Sequence, residues 1–279
     1  MLGSILLVAL LVASPLYVSG QQISWLTDVT QAKTLALKSG KPIMYDFTAS
    51  WCGPCRRMEK DFWSRSDVID LSQQFVCVKV NFDKEKALAS KYSIKAIPNV
   101  VFTDPWGRGL LGHKGFGVGT EGEILDKIKL LPKDFSSLID AGNALESNDK
   151  DANSLFKFAS FYQERKAFWL GNMFYERLLG VETESSKRES ILLNTAFNFL
   201  RLGEPDSAVE RFMLLQKEFP QSQQNDLYLY GLVLANISKD KPEVAVRYTK
   251  EIKDKFPKSK YLSLAEEKAT TTLTVLKQP

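Results

Sequence analysis

Between residues 43 and 131, apolar positions fall in short strand-like runs separated by stretches of helical spacing. "PIMYDFTA" (42–49) and "FVCVKVNF" (75–82) are apolar and β-branched, as strands buried in a sheet are. "NVVFTDPWGRGLLGHKGF" (99–116) reads as two strands joined by the turn Asp104-Pro105-Trp106-Gly107. Helical intervals run through "RRMEKDFWSRSDVIDLSQQ" (56–74), through "KEKALASKYSI" (84–94), and from Thr120 to Leu131, just before Pro132. A strand, a helix and a strand at this spacing predict a right-handed crossover and parallel pairing.

From Asp134 onward the strand signals stop, and helix follows helix with an internal repeat. "EFPQS" ends one unit at Ser222 and "KFPKS" another at Ser259. Ala208 stands twelve residues before Pro220, and Ala245 twelve before Pro257. Ala196 and Gly231 are the small residues of the preceding helices, where a missing side chain lets two helices approach. "TAFNFLRLGEPDSAVERFMLLQKEFP" resembles a tetratricopeptide repeat, with two additional residues near "SKDK" in the next unit. An earlier, degenerate unit surrounds "FASFYQERKAFWLGNMFYERLL", with Ala167 and Leu178 in the matching positions. A capping helix is expected from Lys260 to Lys277.

Composition adds compartment and partners. The chain has 279 residues, 44% hydrophobic and 25% charged, enough for about two folded domains. A net charge of +4, with acids and bases interspersed, argues against a nucleic-acid partner. The first twenty residues carry no charge and hold an apolar core from Ile5 to Ala13. They are expected to be a signal peptide cleaved before Gln21, although the usual leading Lys or Arg is missing. The expected divisions are therefore a signal peptide (1–20), an α/β domain (21–132) and an all-α repeat domain (133–279), in a periplasmic or secreted protein. A membrane enters only if the first segment is retained as an anchor.

Two of the three cysteines lie in "ASWCGPCRRME" (49–59). A helix starting near Gly53, with Pro54 in its first turn, places Cys52 at the positive helix end, which favours a thiolate. Cys55, nearly one turn on, faces the same side. An exposed attacking thiol at Cys52 and a shielded resolving thiol at Cys55 are expected, as exchange through a mixed disulfide requires. Trp51 reads as a surface platform beside Cys52. Arg56 and Arg57 either favour the thiolate and steer acidic partners or form a solvated helix face. Zinc held by Cys52, Cys55, Cys77 and His113 is the competing use of the pair. Cys77 sits within an apolar strand, as a core thiol does. Haem attachment would need His where Arg56 stands.

"DFTASWCGPCRRM" resembles the active-site segment of the thioredoxin family, and the likeness extends from about Ile43 to Leu131. The resemblance implies an α/β thioredoxin-like domain with a Cys52–Cys55 redox disulfide spaced by Gly53 and Pro54. "KAIPNVVF" is similar to the family's cis-proline loop, which implies a cis peptide between Ile97 and Pro98 facing the cysteines. Asp46 matches the family's buried acid and Lys79 its lysine partner, and the acid would exchange protons with Cys55. Thr48 departs from the Trp that many members carry, and the segment after the motif is longer, as in exported bacterial electron-transfer proteins.

The expected activity is reduction of disulfides in protein substrates by thiol–disulfide exchange at Cys52 and Cys55, without a cofactor. It needs an unidentified electron donor or acceptor, and the repeats would hold a protein partner. Oxidase or isomerase action is an alternative. A second alternative is an assembly factor whose repeats do the main work, the α/β domain serving for docking.

Overall fold

The computed structural model describes residues 22–276, so the expected signal peptide and Lys277 lie outside the described residues. Five strands form one sheet: β1 (Trp25–Leu26), β2 (Ile43–Thr48), β3 (Val76–Asn81), β4 (Asn99–Thr103) and β5 (Gly109–Lys114). The order is β1-β3-β2-β4-β5. β3 is parallel to β1 and β2, whereas β4 is antiparallel to both β2 and β5. β2 and β4 are buried almost throughout because helices cover both faces.

β1 and the helix after it, α1 (Val29–Ser39), precede the region where the apolar pattern begins. α1 buries only Ala32 and Ala36, so its apolar stripe is narrow. Its ends are well marked: Asp28 Oδ1 accepts from the N–H groups of Thr30 and Gln31, and Gly40 closes it at φ +68°.

The expected helix at 56–74 is three pieces: α2 (Gly53–Met58), a π-helical turn (Glu59–Trp63) and α3 (Ser66–Ser72). The π-helical turn carries the adjacent Phe62 and Trp63, both buried. α4 (Lys86–Lys91) and α5 (Thr120–Leu130) complete the domain.

Eight helices follow, among the described residues: α6 (Ile139–Ser147), α7 (Ala152–Glu164), α8 (Phe168–Leu179), α9 (Ser185–Arg201), α10 (Pro205–Glu218), α11 (Asn225–Ser238), α12 (Pro242–Lys255) and α13 (Leu262–Leu276). The structure corrects the alignment of the degenerate unit. Ala167 precedes α8, and Gly171 occupies the position that Ala208 and Ala245 hold, third after the helix start. Gly171, Ala208 and Ala245 are 37 residues apart, and Leu178, Leu215 and Ile252 follow each by seven and are all buried. Ala159, Ala196 and Gly231 are the small residues of the first helices. A Cβ on Gly231 would overlap the Phe212 ring.

The two halves share one core. Trp106, in the β4–β5 turn, is buried against Phe158 at 5.6 Å, and its indole N–H donates to Asn143 Oδ1 at 3.1 Å. A Cβ on Gly142 would overlap the Trp106 ring, so the glycine admits it. Arg108 lies over the Trp106 and Phe158 rings and donates to buried Asp104 at 2.6 Å. At the start of β2, Phe135 N–H donates to Gly40 O at 2.7 Å. These contacts lie at the Thr103 end of β4, opposite Asn99, the residue that follows Pro98. No helix among the described residues is long and apolar enough to cross a membrane.

Candidate redox site

β2 ends at Thr48, and Ala49-Ser50-Trp51 turns the chain into α2. Cys52 is the residue immediately before that helix, and its Sγ accepts from Cys55 N–H at 3.2 Å. Pro54 lies in the first turn, where its missing N–H has no helical partner. Cys52 and Cys55 are joined in a disulfide with Cα atoms 5.3 Å apart.

The expected difference in exposure is absent from this disulfide state. Cys52 is 2% and Cys55 6% exposed, so the first cysteine is not the open one. Ala49 and the two cysteines form one buried cluster, and Ile97 packs against it. The two differ in position: Cys52 sits at the helix start, facing the helix N–H groups, whereas Cys55 lies inside the first turn.

Trp51 is 62% exposed, and its indole N–H donates to Asp83 Oδ2 at 2.8 Å. Asp83 was not legible as a site residue; it sits in a turn in which Asn81 Oδ1 accepts from the N–H groups of Asp83 and Lys84. Arg56 Nη1 donates to Ser50 O at 2.7 Å, bracing the turn before the cysteines, while Arg57 is exposed. The Ile97–Pro98 peptide is cis. Pro98 O accepts from Gly115 N–H at 2.8 Å, tying this loop to the end of β5.

Asp46 is 3% exposed in the centre of β2, paired in register with Lys79 of β3 and Val100 of β4. Lys79 Nζ lies 3.3 Å from Asp46 Oδ2 and also donates to Glu59 Oε2. Burial pushes the Asp46 carboxyl up from 3.8 to about 6; Lys79 opposes this, and the nearby Glu59 reinforces it. Glu59 was missed in the sequence, although its place four residues after Cys55 puts both on one helix face.

The raised value has a testable sign. The unfolded chain releases the Asp46 proton near pH 3.8 and the folded chain near 6, so in that window the folded state holds more protons. Stability therefore falls as pH rises through it, by about 3 kcal/mol in total. We expect Asp46→Asn to remove this loss and gain roughly 1–3 kcal/mol at pH 7. Urea unfolding of both proteins at pH 4 and pH 7 measures it; an equal difference at the two pH values refutes the assignment.

Cys77 is buried, and burial pushes its thiol up to about 12, which leaves it inert at neutral pH. β2 and β4 stand between the strands that carry Cys77 and His113. The residues of the alternative zinc set therefore do not converge.

A five-stranded sheet with a cysteine pair at a helix start, Ile97 of a cis-proline loop packed against it and a buried acid in the strand that leads into it defines a thiol–disulfide oxidoreductase domain. The sequence model of the thioredoxin-like family matches residues 24–105. A thioredoxin-like protein of Synechocystis is 32% identical over 92 residues, 33% of this chain and 83% of that protein. Through this domain the chain belongs to the thioredoxin-like family. Thioredoxin of Streptomyces clavuligerus is 41% identical over 64 residues, 23% of this chain and 57% of its own length. The chain thus spans little more than half of that relative. The solved structure of Malassezia sympodialis thioredoxin is 25% identical, with 37% of this chain and 88% of that one covered and a TM-score of 0.32.

Proposed function

We propose that this protein is an exported reductase of disulfides in protein substrates, working through Cys52 and Cys55. The observation that carries the reading is the disulfide between these residues at the start of α2, packed against Ile97 of the cis-proline loop. In the reduced protein, the Cys52 thiolate attacks a substrate disulfide and releases one substrate thiol. Asp46 takes the proton from Cys55, whose thiolate attacks Cys52 Sγ. The second substrate thiolate leaves, and Cys52–Cys55 is oxidised.

The Gly53-Pro54 spacer resembles that of reducing members and supports this direction. The apolar core of the leader, Ile5 to Ala13, supports export to an oxidising compartment, where an external electron donor must restore the dithiol. The repeats hold a protein partner. They pack at the far end of the sheet, about 15 Å along β4 from Pro98.

Insulin reduction by the intact chain with dithiothreitol as donor tests the reading. Precipitation of the freed insulin chains well ahead of a protein-free control is expected. Equal rates refute the reductase assignment and leave the assembly role to the repeats.

A further inference from the structure

We propose that Glu59 is a positioning residue for proton transfer, sharing the Lys79 ammonium so that Asp46 stays basic enough to take the proton of Cys55. The inference rests on the reductase reading above and adds a residue to its machinery.

Three observations carry it. Glu59 begins the π-helical turn one turn beyond Cys55, on the face that covers β2 and β3. Lys79 Nζ contacts both carboxylates, with Asp46 buried and the Glu59 side chain 51% exposed. Glu59 also lines a cavity of about 410 Å³ with Gln22, Ile23, Trp25 and Trp63, so this end of the chain of charges meets solvent.

A lysine held by Asp46 alone would stabilise the carboxylate fully and make it a weak base. Glu59 draws the ammonium outward, and its own charge further disfavours ionisation of Asp46. The other groups facing Asp46 are few. From the π-helical turn, the Trp63 indole N–H faces it without a hydrogen-bond partner of good geometry. From β1, the Trp25 ring lies 4.6 Å under Lys79 Nζ. Val100 of β4 is apolar.

In the step, the Cys55 S–H proton moves to an Asp46 oxygen. The Cys55–Cys52 bond forms as the Cys52–substrate bond breaks, and the electron pair leaves with the substrate sulfur, which takes a proton from water. Asp46 later returns its proton to solvent on the Glu59 side. The substrate disulfide is the only oxidant required.

Glu59→Gln tests this. The Asp46 carboxyl, followed by carbon NMR in the oxidised protein, should titrate about 0.5 pH unit lower than in wild type. The acid limb of insulin reduction should move the same way, and Asp46→Asn should abolish that movement. An unmoved Asp46 titration overturns the proposal, as does an equal change in the Asp46→Asn background. The titration needs no turnover, so this proposal can fail while the reductase reading stands, and the reverse.

Discussion

Cys52→Ser brings insulin reduction down to the uncatalysed rate, a loss on the order of 10³-fold or more. Serine keeps the size of the side chain and can still accept from Cys55 N–H, so helix α2 keeps its start. What goes is the sulfur nucleophile, and no other thiol replaces it. Cys77 is buried and its thiol is pushed up to about 12, and Cys55 lies within the first turn of α2. Cys55→Ser fails differently. The first exchange at Cys52 proceeds, but the mixed disulfide has no resolving thiol and accumulates. Two variants of equal overall activity then differ in the species they hold. A Cys52→Ser protein that reduces insulin at more than a few per cent of the wild-type rate would remove Cys52 from the mechanism.

Trp106→Ala lowers the stability of the whole chain by about 3–5 kcal/mol. The ring is buried between the β4–β5 turn and the first repeat helices, against Phe158 and over Gly142. Its removal opens a cavity, orphans the Asn143 acceptor and strips one of the rings that shield Arg108. For a domain of 150–250 residues, each kcal/mol shifts the melting temperature by about 2–4 °C, so a fall near 10 °C is expected. Calorimetry checks it. A loss under about 1 kcal/mol would mean that the halves stand independently. The same shared core makes truncation at residue 133 a poor test of the repeats, because it bares Trp106 and removes Phe135, whose N–H donates to Gly40 O.

Much of the α/β half was legible because β2, β3 and β4 are nearly uninterrupted apolar runs and the β4–β5 turn carries its own signals. β1 and α1 were not: a two-residue strand has no period, and a helix that buries two alanines shows little apolar stripe. In the helical half, the Phe-Pro endings mark the last two units, but the first lacks that ending. Ala167 drew attention from Gly171, which does the packing. At the site, the motif places both cysteines. Their burial depends on Ile97, more than forty residues away, and no local pattern reports it. Glu59 and Asp83 join the site only because β3 and the turn after it bring Lys79 and Asp83 against the active-site segment.

In the proposed exchange Cys52 attacks and Cys55 resolves. The most direct measurement is mass spectrometry of Cys55→Ser after incubation with a disulfide-bonded peptide. One peptide per chain, attached at Cys52 and released by dithiothreitol, is expected. No adduct, or an adduct at Cys77, would contradict it.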